Sequence, residues 1–253
     1  MTSPRIARSG CRCAALLLAA FALAGCGTLG NAPADEKVDP AYAVAQPNLS
    51  SLSAVIAQHP NDPQAYANRG LVYRKTNQPE LALADFDKAL TIDPSYAPAY
   101  VGRGIVYTQQ GRSNQALTDF NKAISLKPDN PEAYYSRGLL YQAQHQQQFA
   151  IDDFTTALGL SNQKTAIFIA RGLSYLAMGD NKSASTDLDA AVQADPQNIK
   201  AWASRGLAYE RLGDKDKAAG SYAKALNIND KYEPAKAGFA RVGGQVGHTY
   251  QTF

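Results

Sequence analysis

Few residues in this sequence have the types and spacing that catalysis or metal binding requires. The 253-residue chain has three histidines, His59, His145 and His248, and each falls in a predicted turn or tail without a second metal ligand nearby. Asp152 and Asp153 are paired carboxylates, but adjacent residues on a helix point about 100° apart. No strand pattern and no glycine-rich phosphate loop are present. The sequence therefore predicts a protein that is not an enzyme and uses no metal or cofactor.

A column of arginines has the chemistry of ion pairing. Arginine recurs every 34 residues, and an aspartate stands sixteen residues after each of the first four. The pairs are Arg69 with Asp85, Arg103 with Asp119, Arg137 with Asp153, and Arg171 with Asp187. A planar guanidinium can form two hydrogen bonds with one carboxylate, so we expect structural ion pairs. The alternative is a ladder of ligand-binding arginines.

The fifth arginine of the column breaks the pattern. Ser221 occupies the aspartate position that corresponds to Arg205. We therefore expect Arg205 to find another acceptor or to be more exposed than the other four.

The arginines mark a unit of 34 residues that occurs five times. In its first half, Arg-Gly is followed by a tyrosine three residues on; in its second half, small residues flank a bulky one at spacings of four and three. These spacings place each set on one face of a helix. We predict helical hairpins that must stack, because one hairpin cannot cover its own apolar face. The units are 63–96, 97–130, 131–164, 165–198 and 199–232.

This pattern resembles the tetratricopeptide repeat, a 34-residue helical hairpin with aromatic, glycine and tyrosine positions in its first helix and alanine, aromatic and proline positions in its second. The resemblance covers about two thirds of the chain. It implies an all-α solenoid of stacked antiparallel hairpins that binds other proteins. Two departures are visible: arginine replaces the usual leucine before the glycine in every unit, and the helix-ending proline is Asn162 in unit three and Asp230 in unit five.

The segments that flank the repeats predict capping elements. Residues 48–62 have the pattern of a lone second helix of a degenerate unit, and residues 233–243 predict one further helix. Such helices cover the ends of a stack. We expect residues 244–253 to be disordered, or to act as a short contact peptide through Tyr250 and Phe253.

The first 25 residues have the features of an export signal. Three arginines precede an apolar run at 14–24 that is too short to span a bilayer. The run ends in Leu23-Ala24-Gly25-Cys26, which resembles the bacterial lipobox. The resemblance implies cleavage before Cys26 and lipid attachment to its sulfur. The alternative is an ordinary signal that is cleaved near Gly25 or Gly27.

Residues 26–47 predict an acylated cysteine followed by a flexible tether, because they are rich in glycine, alanine and proline. Acyl chains on Cys26 would hold the protein on a membrane. Glycine at position 27 implies the outer membrane, facing the periplasm, under the sorting rule that accompanies the lipobox. The leader's three arginines account for the net charge of +3, so the remaining chain is neutral and nucleic acid is not an expected partner.

An apolar stripe on the first helices is the candidate for partner binding. The residues that follow the signature aromatic and glycine turn about 100° away from the packed face, toward what in this family is the concave groove. The candidate groove residues are Leu71, Arg74, Val101, Ile105, Tyr135, Leu139, Gln142, Ile169, Leu173 and Leu207. An apolar ladder with a polar rim suits an extended peptide or an amphipathic helix. The alternative is that these side chains complete the core between repeats.

Anchor and repeats together resemble the architecture of NlpI-like lipoproteins. This resemblance implies a periplasmic adaptor for murein enzymes or a protease. The alternative is a pilotin-like assembly factor for a secretin or another outer-membrane complex. A hydrolase is disfavoured because the sequence offers no nucleophile and base at a suitable spacing.

Overall fold

The computed structural model describes residues 48–245 and residue 250. In these residues the chain forms twelve α-helices and no strand, which confirms the predicted fold class. The helices are α1 (Leu49–Gln58), α2 (Pro63–Lys75), α3 (Pro79–Ile92), α4 (Ala97–Gln109), α5 (Ser113–Leu126), α6 (Pro131–Ala143), α7 (Gln147–Leu160), α8 (Thr165–Met178), α9 (Asn181–Ala194), α10 (Ile199–Leu212), α11 (Lys215–Ile228) and α12 (Glu233–Arg241). None of these helices is long and apolar enough to cross a membrane. The predicted signal peptide, Cys26 and the tether lie outside the described residues.

Local signals in the sequence explain where the helices begin. The side chain of Asp62 accepts a hydrogen bond from the Gln64 N–H, and that of Asn130 accepts one from Glu132 N–H. Each cap precedes a proline at the first helical position, where the missing N–H has no partner to lose.

The first helix of each hairpin ends in a left-handed turn. At these five turns the residues with positive φ are Asn77, Gly111, His145, Gly179 and Gly213. The N–H that follows each of them donates to the carbonyl of the repeat tyrosine five residues back, as from Gln78 to Tyr73 at 2.8 Å. This bond closes the last turn of the first helix and reverses the chain into the second.

A ring over a glycine is the central packing contact of the hairpin. The bulky residues of the second helices, Phe86, Phe120, Phe154, Leu188 and Tyr222, are almost completely buried. A Cβ placed on Gly104 would lie 2.7 Å from the ring of Phe120, so only glycine allows the two helices to approach this closely. Burying such a ring contributes about 1.5–3 kcal/mol, and the contact is repeated along the stack.

The hairpins stack through their first helices. Each second helix contacts the first helix of the next hairpin, and each first helix also contacts the next first helix. Within the described chain, no second helix contacts the next second helix. The first helices α2, α4, α6, α8 and α10 therefore form the inner layer of the solenoid, and the second helices spread apart on the outer side.

Short helices close both ends of the stack. Leu52 of α1 is buried against the first hairpin. At the other end α12 contacts α10 and α11, and Gly238 lies directly against the ring of Tyr222. In the described part of the tail, the ring of Tyr250 packs edge-on against that of Phe239, with the ring centroids 5.9 Å apart. Phe253 lies outside the described residues.

Candidate functional site

The first four repeat arginines each form two parallel hydrogen bonds with one aspartate of the same hairpin. In Arg69, Nε and Nη2 donate to the two carboxylate oxygens of Asp85, both at 2.8 Å. The same geometry, with distances of 2.7–2.8 Å, joins Arg103 to Asp119, Arg137 to Asp153 and Arg171 to Asp187. The four aspartates are buried. The bonds therefore tie each first helix to the second helix of its own hairpin.

The remaining guanidinium nitrogen reaches back to the preceding unit, which the sequence analysis did not predict. The Nη1 atom of each arginine donates to a side chain sixteen residues earlier in the chain. The acceptors are Ser53 for Arg69, Asp87 for Arg103, Asn121 for Arg137 and Thr155 for Arg171. A signal was present, because all four positions are polar, but four different residue types occupy them. Each arginine thus links three helices across a unit boundary.

Carboxylates and aromatic rings surround the guanidinium groups of the arginine column and favour their charged form. Arg103 lies 5.5 Å from the ring centre of Tyr100 and 5.8 Å from that of Tyr107. The hydrogen bond with Asp119 raises the pKa of Arg103 above its ordinary value, although burial opposes the shift. Because Nε, Nη1 and Nη2 each donate to a protein acceptor, this geometry fits a structural column better than a ladder of ligand sites.

Arg205 finds its carboxylate in the preceding unit. Its Nε donates to Asp189 at 2.5 Å, and its Nη1 donates to the hydroxyl of Ser221 at 2.7 Å. Asp189 also accepts a hydrogen bond from the Tyr209 hydroxyl at 2.8 Å. Arg205 is only 3% exposed, so of the two predicted outcomes the first, another acceptor, is confirmed, and greater exposure is not found. The rings of Trp202 and Tyr209, 5.6 and 4.8 Å from the guanidinium, enclose it.

The candidate groove stripe divides into a buried row and an accessible row. Residues that follow the signature aromatic are mostly buried: Val101 is 2% exposed and Ile169 is 6% exposed. Their assignment to the groove is therefore corrected. Val101 packs against Ala123 of its own hairpin and Ala133 of the next, and Ile169 packs into the core around Trp202. The next hairpin closes over these positions, so they belong to the core between repeats.

Residues that follow the glycine form the accessible row. They are only partly buried, apart from Leu139, which is 38% exposed. We call this set the apolar row; its members are Leu71, Ile105, Leu139, Leu173 and Leu207. They stand at equivalent positions on first helices that contact one another in sequence. The row therefore places partly accessible apolar side chains at the same position on five adjacent first helices.

Polar side chains border the apolar row, and several of them are already engaged. The Nε2 atom of Gln142 donates to the carbonyl of Ala170 at 3.0 Å and to the hydroxyl of Ser174 at 2.9 Å, which ties α6 to α8. Burial raises the pKa of Tyr135, whose ring centre lies 5.9 Å from that of Phe154. Gln142 thus uses its amide donors between α6 and α8, and the Tyr135 ring packs against Phe154.

Further bonds close the carboxyl-terminal end of this surface. Glu210 accepts two hydrogen bonds from Arg241, at 2.7 and 2.9 Å, and one from the Tyr222 hydroxyl at 2.6 Å. The bond to Arg241 lowers the pKa of Glu210. In the part of the chain that the structure covers, no group of three or more His, Cys, Asp or Glu side chains could hold a metal ion.

Comparison with known families identifies the repeats. Models of the tetratricopeptide repeat match residues 63–96 and 169–234, and a TPR repeat model matches residues 104–144. No curated protein sequence matches the chain.

Solved structures share the fold. The structure of YrrB, described as a TPR protein with an unusual peptide-binding site, is 26% identical, with a TM-score of 0.60 and coverage of 75% of this chain and 98% of that one. MamA is 28% identical, with a TM-score of 0.58 and coverage of 68% and 93%. PilW, a type IV pilus biogenesis factor, is 20% identical, with a TM-score of 0.64 and coverage of 71% and 88%. The chain therefore carries tetratricopeptide repeats, and they build a solenoid of the tetratricopeptide type.

Proposed function

We propose that this protein is a membrane-anchored periplasmic adaptor that holds partner proteins against the apolar row. The observation that carries the proposal is the row itself: five apolar side chains at equivalent positions on adjacent first helices, each at least partly accessible. Exposed apolar strips of this kind bind the apolar side of a peptide or helix. Tetratricopeptide repeats are protein-binding modules in general, and YrrB has a peptide-binding site, which supports this role.

The amino-terminal sequence supports the proposed cellular location of the adaptor. The arginine-rich leader and the Leu23-Ala24-Gly25-Cys26 sequence support lipid attachment at Cys26 and a position on the outer membrane. Partners in that compartment include murein enzymes and envelope proteases. We propose that the protein brings such enzymes together and performs no catalysis itself.

Assembly of a secretin or another outer-membrane complex is the second candidate. PilW supports only the shared fold, because its identity to this chain is 20%. The two roles use the same surface and differ in the partner that occupies it. An experiment that identifies the partner on the apolar row therefore separates them.

Site-specific photo-crosslinking in the intact cell envelope tests the proposal. A photoreactive phenylalanine derivative is placed at Leu139 on the apolar row and, as a matched control, at Thr118 on the exposed outer face of α5. We expect an adduct at position 139 and none at position 118. A murein hydrolase, a murein synthase or a protease in the adduct supports the adaptor, and a secretin supports the second candidate. Equal adducts at both positions, or none at 139, would refute the groove.

The anchor is tested separately by Cys26→Ser. We expect this variant to leave the membrane fraction and to keep an uncleaved or miscleaved leader, because the acyl acceptor is gone. Cys13→Ser is the control and should mature normally. Membrane attachment and normal maturation of Cys26→Ser would exclude the lipid anchor.

A further inference from the structure

The hairpin tips carry the most exposed large apolar side chains of the described chain. A tip is the turn that joins the two helices of one hairpin, together with the helix ends on either side of it. Four tip residues are between 45% and 60% exposed, whereas no large apolar residue elsewhere in residues 48–245 is more than 41% exposed. The four are Leu81, Phe149, Met178 and Leu212. Apolar side chains exposed to this degree favour contact with a partner surface.

Three consecutive hairpins present such a residue at one edge of the array. Phe149 lies in the first turn of α7, and Met178 and Leu212 are the last residues of α8 and α10. The ring centre of Phe149 lies 5.4 Å from that of Tyr141, so the ring is supported from below while most of its surface stays exposed. We call Phe149, Met178 and Leu212 the tip patch, and the edge that the hairpin tips form the tip edge.

The two edges of the array differ in charge. The tip edge holds six Lys or Arg residues and four Asp or Glu residues, and the opposite edge, where one hairpin leads into the next, holds four and seven. The tip residues are 75–81, 109–115, 143–149, 177–183 and 211–217, and those of the opposite edge are 59–65, 93–99, 127–133, 161–167, 195–201 and 229–235. An anionic surface is therefore favoured at the tip edge and disfavoured at the opposite edge.

The amino-terminal end of the array also lies at the tip edge. Helix α1 takes the place of a second helix, because Ser53 accepts a hydrogen bond from Arg69 as second-helix residues of units one to three do from the next arginine. Second helices begin at the tips, so Asn48, the N-cap of α1, lies on the tip edge. Residues 27–47 join it to Cys26, and a flexible chain of this length spans about 25 Å. The proposed lipid anchor therefore brings the tip edge to the bilayer.

We propose that the tip patch rests on a bilayer that contains anionic phospholipids, with its three apolar side chains among the acyl chains nearest the headgroups. The basic side chains of the tips lie at the lipid phosphates. Apolar side chains on separate protruding turns enter a lipid surface one by one, whereas a protein partner would need a pocket for each. This inference rests on the proposed lipid anchor, which keeps the bilayer close to the tips, so a weak contact is enough. The array then stands with its tips on the lipid and its opposite edge away from it.

Quenching by spin-labelled lipids tests this contact with the full-length, lipid-modified protein. Phe149→Cys, Met178→Cys and Leu212→Cys each carry a nitrobenzoxadiazole fluorophore, and the protein is reconstituted in vesicles of phosphatidylcholine and phosphatidylglycerol with nitroxide groups on the acyl chains. Leu160→Cys with the same fluorophore is the matched control. Leu160 is an exposed apolar residue at the other end of α7, about 17 Å from Phe149 along the helix.

The expected result is a difference between the two edges. The nitroxide lipids should quench the fluorophore at positions 149, 178 and 212 by about twofold or more, and should leave position 160 almost unchanged. Vesicles of phosphatidylcholine alone should reduce the quenching at the tips by about half, because the basic side chains lose their anionic partners.

Two substitutions locate the contact on the tip patch. Met178→Gln and Leu212→Gln introduce the residue that units two and three have at this position, so the fold should be kept. Together they should reduce the quenching at position 149 by about half or more, because two of the three inserted side chains are lost. Leu160→Gln makes the same change at the opposite edge and should leave the quenching at position 149 unchanged.

The outcomes separate this inference from the lipid anchor. If the protein floats with the vesicles while the tip positions are quenched no more than position 160, the tip contact is overturned and the anchor stands. Equal quenching in both kinds of vesicle, or quenching at position 149 that survives the paired glutamine substitutions, would also overturn the contact as proposed. Protein that does not float with the vesicles would overturn the anchor, and with it the contact that rests on it.

Discussion

The repeat arginine has a carboxylate partner in all five units, but in unit five this carboxylate comes from a different hairpin than in the four units before it. In units one to four, the repeat arginine takes its carboxylate from its own hairpin and a polar group from the preceding one. In unit five the roles are exchanged: Asp189 of the preceding hairpin supplies the carboxylate, and Ser221 of the same hairpin supplies a hydroxyl. The carboxylate therefore lies one hairpin earlier in unit five, while the arginine keeps its position.

The comparison teaches that the arginine requires one nearby carboxylate and tolerates exchange between its two acceptor sites. Unit two has both, since Arg103 bonds Asp119 and also Asp87. A buried charge with no counter-charge is strongly unfavourable, whereas an additional exposed pair adds little. The two acceptor positions should therefore respond oppositely to substitution in unit two and unit five.

The largest effect is expected at Asp189. Asp189→Ala would leave Arg205 buried without a carboxylate and should lower the free energy of unfolding by about 3 kcal/mol. Asp87→Ala changes the equivalent position of unit two, where Arg103 keeps Asp119, and should cost less than about 1 kcal/mol. Urea unfolding followed by circular dichroism measures both. Equal losses would mean that the carboxylates are not exchanged.

Glycine substitution probes the different bulky residues of units four and five, Leu188 and Tyr222. A Cβ on Gly206 would lie 2.6 Å from the ring of Tyr222, which is held by its bond to Glu210, so Gly206→Ala should cost about 2–3 kcal/mol. Gly172→Ala meets the more adaptable Leu188 and should cost about 1 kcal/mol.

Gly159→Ala is the control for the glycine series. No atom lies within 4 Å of the added Cβ, and Gly159 is exposed near the end of α7. The substitution should stabilise the protein by about 0.5 kcal/mol, because alanine favours the helix. Thermal unfolding of the three variants gives the order, and a destabilised Gly159→Ala would contradict the packing argument.

Placing the carboxylate at position 221, on the same hairpin as Arg205, should restore part of the stability that Asp189→Asn removes. Ser221→Asp combined with Asp189→Asn recreates the arrangement of units one to four around Arg205. We expect the pair to recover about 1.5 kcal/mol relative to Asp189→Asn alone, measured as a double-mutant cycle. Additive effects of the two substitutions would show that the sites are not coupled through the arginine.

The smallest effect concerns pH and the bond between Glu210 and Arg241. Because this bond lowers the pKa of Glu210 in the folded protein, its stabilisation is present above the unfolded value near 4.5 and is lost as pH falls through the folded value. Glu210→Gln should cost about 0.5 kcal/mol at neutral pH, since Arg241 is half exposed. The difference from wild type should vanish in acid. Glu233→Gln, which removes only an exposed pair with Lys236, serves as the control.

Much of the fold could be predicted from the sequence because the 34-residue period repeats both spacing and residue size. Glycine under a ring determines how closely the two helices of one hairpin approach, and this contact is local. The aspartates that pair with the arginine of the same hairpin could also be predicted, since aspartate recurs sixteen residues after the arginine in units one to four.

The remainder depends on how one hairpin lies against the next. Val101 and Leu139 are both one position away from the packed face, yet one is buried by the neighbouring hairpin and the other is not. Periodicity alone cannot separate them, because the closure comes from the following unit. The four acceptors, Ser53, Asp87, Asn121 and Thr155, share only polarity, so no single residue type recurs at this position.

The weakest contact between neighbouring elements of the array lies at its amino-terminal end, between α1 and α2. Arg69 holds α1 through one hydroxyl, that of Ser53, at 3.2 Å, whereas the other end is fastened by Asp189 and by the two bonds of Arg241 to Glu210. A stack of nearest-neighbour contacts loses its least fastened member first. Heat or pulling force should therefore unfold the array progressively from α1 onward, and the final hairpin should unfold last.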